Sequence, residues 1–371
     1  MSYINLGKID KSLIVILVGC IFCFLNRLLN QYDSPLYKNH VLTNICISLS
    51  RFLTVIPFII LKIRSRRRST KKKEDENKSI GKIKLIYTNT LKETIRGKWR
   101  FILLTVLIYI IQSIFLVYSF DVKTNSWICY ILLASIFYYL IFKIKLYKHH
   151  YLSIVLILLI GIIIDLITEN LQNDIINNPI FLIIKYMKEI SFSLHIVIAK
   201  YVMERKFISV YELSFYIGLI SLIILIIFAI FDYYFFKLNE YKEYFNKFDV
   251  IELFVILGVI FTQLVLNLTT LFTTKNNSPC HVFIIYVFGQ FAYYLDFKVI
   301  NILVIICLII IFFFALIFNE IIEINILGLS YNTKRNIMIR AREEFLTKSA
   351  INEEQNENDE RKDTICTLEL M

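Results

Sequence analysis

The sequence predicts an all-α polytopic membrane protein: ten transmembrane helices arranged as two inverted five-helix repeats. Three observations carry that fold class. Of the 371 residues, 57% are hydrophobic, 31 are Phe, and mean hydropathy is positive, beyond what a water-soluble domain uses. The excess is gathered into runs of about 20 residues, the length that crosses roughly 30 Å of hydrocarbon at about 1.5 Å per residue. Finally, the runs number ten, and they divide into five and five once the long basic segment 62–98 is set aside. Because five is odd, a second half that copies the first must enter the membrane upside down.

The spans fall at 12–30, 40–61, 99–119, 125–143, 149–168, 179–203, 209–235, 249–273, 278–296 and 299–319. Stretches such as SLIILIIFAIF (221–231) are apolar on every side, so the alternation of a membrane β-barrel is missing. Segment 62–98 is basic, with a brief acidic EDEN (74–77), and reads as a solvated, disordered loop. The polar ENLQNDIINN (169–178) joins the halves, and the tail, ending in NEEQNENDERKD (352–363), is too polar to fold alone. The organisation is therefore a first repeat over 1–168, a second over 169–330 and a polar tail over 331–371. Residues 1–30 have an apolar core without an A-x-A-like cleavage site, which predicts a retained first span.

Orientation follows from the 41 Lys and Arg. With the N-terminus inside, the inner segments, counted to include Arg100 and Lys143 at the span ends, hold 30 of them; the outer ones hold six, Lys38, Lys123, Lys237, Lys242, Lys247 and Lys298; the remaining five lie within spans. The positive-inside bias thus predicts both termini in the cytosol. The net charge of +11 raises nucleic acid as a partner, but KIRSRRRSTKKK (62–73) directly follows the second span, where such a cluster fixes topology and touches anionic lipid headgroups. Nucleic acid is not expected. No K-D-E-L ending marks a particular membrane.

Seven Cys suggest packing. Cys20 and Cys23 form a C-x-x-C inside the first span, with no second pair for zinc. Sequons at Asn77, Asn267 and Asn276 fall in cytosolic loops or a span, so no N-glycan is expected. No H-E-x-x-H, P-loop or G-x-S-x-G is present, which argues against an enzyme or an ATP-driven pump and names no cofactor or metal site.

The informative residues are the polar ones inside spans. On a helical wheel of 183–201 (IIKYMKEISFSLHIVIAKY), Lys185, Lys188, Glu189, Ser191, Ser193, His195 and Lys200 share one arc of about 200°, with Tyr186, Met187, Ile190, Leu194, Val197, Ile198 and Tyr201 filling the rest. A charge near a helix centre costs about 2.5–3.5 kcal/mol on insertion scales, so Lys188 and Glu189 need compensation. The i, i+4 spacing predicts that Lys185 pairs with Glu189, leaving Lys188 unneutralised. Other spans contribute Asn26, Arg27, Arg51, Gln112, Gln263, Asn267 and Gln290.

Two arrangements satisfy these groups. They line a central, water-accessible cavity of positive potential that suits an anionic or strongly polar small-molecule solute. Alternatively, Lys185 and Arg27 snorkel to the outer headgroups, the reading their positions favour, while Arg51 and Lys188 pair with carbonyls between helices. For Lys188 and Arg51 the cavity is the better reading. The candidate binding residues are Lys188, Glu189, Arg51, His195, Gln263, Gln112, Asn26, Arg27 and Gln290. A His hydrogen-bonded between helices is the plain expectation for His195. His149 and His150 read as interfacial, and Glu212 and Asp165 as caps or surface groups.

LLASIFYYLIFKIKLYKHHYLSIVLILLIGIII (132–164) resembles the junction of helices 4 and 5 in the drug/metabolite transporters, the EamA-like and nucleotide-sugar-transporter-like group. There a lysine-bearing loop and a His precede a Gly-containing span, here with Gly161. AKYVMERKFISVYELSFYIGLI (199–220) is similar to the junction of helices 6 and 7, with Lys200, Tyr211, Glu212 and Gly218, and NEIIEINILGLSYNTK (319–334) to the ends of divergent eukaryotic members. The resemblance implies an inverted-repeat bundle, a central solute cavity and alternating access without ATP. In one respect the chain departs from the group: it has only 9 Gly and 4 Pro, with Pro57 the sole Pro well inside a span. Gly19, Gly161, Gly218, Gly258 and Gly289 are then the candidates for close helix contact. A non-transporting scaffold of the same fold is the runner-up, and a membrane-embedded enzyme comes third.

Overall fold

In the computed structural model, residues 11–31, 40–60, 62–63, 84–118, 124–144, 146–168, 179–235, 249–294 and 302–322 are described, and no strand occurs among them. The helices are α1 (Lys11–Gln31), α2 (His40–Phe52), α3 (Lys84–Tyr118), α4 (Cys129–Phe142), α5 (Lys148–Ile167), α6 (Pro179–Arg205), α7 (Val210–Phe235), α8 (Val250–Asn276), α9 (Val282–Tyr294) and α10 (Ile302–Phe318). Each falls within or overlaps one predicted span. Most of 62–73, the linker 169–178, the tail from 331 and the six outer Lys lie outside the described residues.

Six helical segments are long and apolar enough to cross a membrane: Ser12–Leu29, Val41–Ile60, Lys98–Tyr118, Lys148–Ile167, Val210–Tyr234 and Val250–Asn276. Their outer faces expose rows of apolar side chains, as on α5, where Leu152, Val155, Leu159, Ile162 and Leu166 stand out. Water would penalise such faces and acyl chains would not, so the chain is a membrane protein.

Local chemistry explains where these helices bend and stop. Pro57 offers no N–H and crowds the carbonyl four residues earlier, so α2 breaks at 53–54 before a helical turn resumes over 55–60. At the break, Thr54 Oγ1 donates to the Arg51 carbonyl at 2.6 Å. Gly218 of α7 lies against this point; a Cβ there would come within 2.6 Å of the Arg51 carbonyl carbon, so only glycine lets α2 and α7 cross this closely. Residues 84–98 correct the expectation of a disordered loop. That stretch contains no Pro, and it is helical as the first part of the 35-residue α3.

Neighbouring helices form a regular pattern. α1 packs on α9 and α8; α6 packs on α4 and α3; α2 packs on α7, α5 on α10, and α2 on α8 as α3 does on α7. All of these pairs join a helix from 1–168 to one from 169–330; within the second half, α9 also packs on α10 and α6 on α8. Short 3₁₀ turns precede α4 (Ser126–Ile128) and α9 (Pro279–His281). A core of Ile16, Ile131, Ile157, Ile196, Phe283 and Ile311 ties α1, α4, α5, α6, α9 and α10 together, and a second core around Val106, Val202, Leu213 and Leu271 joins α3, α6, α7 and α8.

Candidate functional site

The polar arc of α6 faces inward. Glu189, Ser193, His195 and Lys200 are all buried, and Val197, on the opposite arc, is packed too. Near the start of α6 the arc opens on a cavity of about 120 Å³ lined by Arg27, Gln112, Leu116, Trp127, Tyr130, Lys188, Glu189, Phe192, Tyr286 and Gln290. Five of the nine candidate residues thus converge: Arg27 from α1, Gln112 from α3, Lys188 and Glu189 from α6, and Gln290 from α9.

The ion pairing differs from the expectation. Lys188 Nζ lies 2.7 Å from Glu189 Oε1, so Glu189 pairs with its own neighbour rather than with Lys185 as a lone-helix rule predicts. Lysine's four-carbon stem crosses the 100° between adjacent positions once both side chains turn into one cavity. Ser126 Oγ adds a donor to Glu189 at 3.3 Å. With that pair neutralised, the uncompensated charge on the cavity wall is Arg27, which makes no ion pair among the described residues. Gln112 Oε1 is buried without a hydrogen-bond partner, an unmet acceptor on the same wall.

Aromatic rings form the rest of the wall. The Tyr130 ring lies 5.2 Å from that of Phe192 and 6.3 Å from that of Tyr286, and Phe192 meets Tyr286 edge-on at 5.3 Å. Tyr130 donates to the Pro279 carbonyl at 2.8 Å, and Trp127 Nε1 to Asn125 Oδ1 at 3.1 Å, so both rings are held by their polar ends. Sequence reasoning missed all four aromatics. With 31 Phe and 23 Tyr in the chain, no single ring is conspicuous.

The other four candidates lie elsewhere. Arg51 donates from Nε to Asn267 Oδ1 at 3.2 Å, its guanidinium sits 4.1 Å above the Tyr109 ring, and Asn267 Nδ2 donates to Ser50 Oγ at 3.1 Å. The His195 ring lies 5.4 Å from that of Tyr109, tilted by 47°, with Nδ1 3.3 Å from the Thr105 carbonyl. Arg51 and His195 therefore hold α2, α3, α6 and α8 together rather than line the Lys188 cavity. Asn26 accepts from Thr262 Oγ1 at 3.2 Å, and Gln263 is half-buried on α8. Asp165 is not a surface group: it is buried and accepts from the Asn125 N–H at 3.0 Å and Nδ2 at 2.7 Å, while Tyr294 donates to Asn125 Oδ1 at 2.8 Å. Cys20 and Cys23 are packed against α9, as expected.

At the far end of α6, Lys200 is buried. Lys200 Nζ donates to the carbonyls of Thr274 (3.0 Å), Lys275 (3.3 Å) and Asn277 (2.8 Å), and pairs with Glu204 Oε1 at 2.7 Å. These are the orphan carbonyls at the C-terminal end of α8, where a cation also meets the negative end of the helix dipole. The Lys200-capped segment runs into the turn whose Pro279 carbonyl receives Tyr130, so cap and cavity wall share one piece of backbone.

No protein-family model matches the chain, and no curated protein matches it significantly.

Proposed function

We propose that the chain is a ten-span secondary transporter of the drug/metabolite type, built as two inverted five-helix repeats, that carries a small polar anionic solute by alternating access. The neighbour pattern supports the repeat. Advancing every helix number by five turns α1–α9 into α6–α4, α1–α8 into α6–α3 and α2–α8 into α7–α3, and returns α2–α7 and α5–α10 to themselves. The matched 3₁₀ turns before α4 and α9 obey the same rule. The short α9 also fits a spanning role: Val282, Phe283, Ile284, Ile285, Val287, Gly289, Gln290 and Ala292 are buried, so protein rather than lipid covers most of it.

The observation that carries the substrate class is the cavity's charge. Arg27 offers a planar fork that holds no ion pair among the described residues, beside a neutralised Lys188–Glu189 pair; the amides of Gln112 and Gln290 line the same wall, and the aromatic rings accept an apolar body. With the N-terminus inside, this cavity belongs to the outer half of the membrane and the Lys200 cap to the inner end, which is an outward-facing arrangement.

The test is uptake into proteoliposomes of a panel of small organic anions, cations and neutral sugars. We expect flux for an anion, abolished by Arg27→Gln in a variant whose thermal unfolding is unchanged. Absence of flux for every class tested would favour the scaffold reading; flux of a cation that survives Arg27→Gln would overturn the substrate class.

A further inference from the structure

We propose that His149, His150 and Glu320 form a site for a divalent transition metal of the Zn²⁺ class, joining the start of α5 to the end of α10. The proposal is independent of the transport reading. Its first support is a buried imidazole short of partners: the His149 side chain is only 4% exposed, and neither ring nitrogen makes a hydrogen bond among the described residues, although Nε2 faces the Glu320 carboxylate. Burying a polar group this way is costly unless a partner completes it, and a bound cation would hold the ring and the nearby carboxylate together.

Distances supply the second. His149 Nε2 lies 3.3 Å from Glu320 Oε1, His150 Nε2 lies 4.0 Å from the same oxygen, and one ligand atom from each residue can be chosen so that all lie within 4.8 Å of one another. Zinc bonds of about 2.0–2.1 Å set tetrahedral ligand atoms about 3.3 Å apart. The His149–Glu320 separation already matches, whereas His150 Nε2, 4.0 Å from Glu320, has to move closer to ligate with it. Glu320, 20% exposed at its side chain, leaves room for water as a fourth ligand.

The backbone brings the carboxylate there at a cost. α10 ends with Glu320 in the left-handed region (φ 57°), a conformation that favours glycine, and the N–H groups of Ile321 and Ile322 return to the Leu316 carbonyl at 3.0 and 3.3 Å. A carboxylate in this position also faces the negative end of the α10 dipole, which favours a cation beside it. Two imidazoles and one carboxylate suit Zn²⁺ and its neighbours, whereas Ca²⁺ and Mg²⁺ seek oxygen. His150 Nδ1 accepts from the Tyr147 N–H at 3.0 Å; ligation through Nε2 leaves the proton on Nδ1, so binding exchanges that capping bond for a metal bond.

The experiment uses the purified, chelator-stripped full chain in detergent, with ZnCl₂, CoCl₂ and CaCl₂ as probes. Expected are uptake of one Zn²⁺ per chain, a rise in the thermal midpoint that EDTA reverses, and the intense visible absorption of four-coordinate Co²⁺, with no response to Ca²⁺. His149→Ala and Glu320→Gln should each lose the thermal shift, and His150→Ala should weaken binding roughly tenfold or more. Should the variants fail to fold, the Co²⁺ spectrum of the unaltered protein decides alone. No uptake in excess ZnCl₂, an equal shift with CaCl₂, or a shift that survives both His149→Ala and Glu320→Gln would overturn the site.

Discussion

Arg27 and Lys200 sit on α1 and α6, helices that exchange under the five-helix shift, and their surroundings are opposite. Lys200 is 3% exposed, with three carbonyls and a carboxylate around its ammonium group. Arg27 lies beside Gln112 and Leu116 near the end of α3 and beside Trp127 in the turn before α4, the places that correspond to the end of α8 and the turn before α9, yet it lines a cavity and holds no ion pair among the described residues. One cation caps a helix end, and the other faces a cavity. Under the alternating access proposed above, the two change roles.

Removing the Lys200 cap should have the largest effect on stability. Lys200→Met keeps the volume and deletes the charge-assisted bonds, and we expect a loss of about 3 kcal/mol in thermal or denaturant unfolding. Arg27→Gln should change stability by less than about 0.5 kcal/mol, because that guanidinium holds no ion pair among the described residues, while apparent solute affinity falls roughly 10- to 100-fold. Equal stability losses in the two variants would break the comparison. Tyr130→Phe removes the hydroxyl that joins the cavity wall to Pro279; about 1 kcal/mol of stability and a slower transport cycle with unchanged solute affinity are expected, measured by unfolding and by flux at saturating solute. Gln112→Leu should cost only a few-fold in affinity, since it deletes one neutral partner.

Much of this was legible from residue order. Hydropathy overlapped every described helix, and six of them are long and apolar enough to cross a membrane, because burial in lipid demands long apolar runs. The two-faced pattern of α6 announced an inward polar stripe, and five cavity residues were visible as polar groups where hydrocarbon was expected. What escaped depends on three-dimensional neighbours. The Lys188–Glu189 pair defies helical spacing and forms only because both side chains point into one space. Arg51 looked like a cavity residue, but Asn267 and Tyr109, distant in sequence, had already claimed it. Glu320 meets His149 and His150 only when α10 folds back along α5, so no local motif marks the three. Helix over 84–98 was hidden by a charge-rich composition that suits solvent-exposed helix as well as coil.

The most direct measurement is the sidedness of the cavity. Gln112→Cys, in a background of otherwise unreactive cysteines, should react with a membrane-impermeant thiol reagent from the face opposite the basic segment 62–73. It should become reactive from the basic face only when Lys200→Met releases the cap. Reaction from the basic face with Lys200 in place, or an indifference to Lys200→Met, would contradict the account that these two ends open in turn.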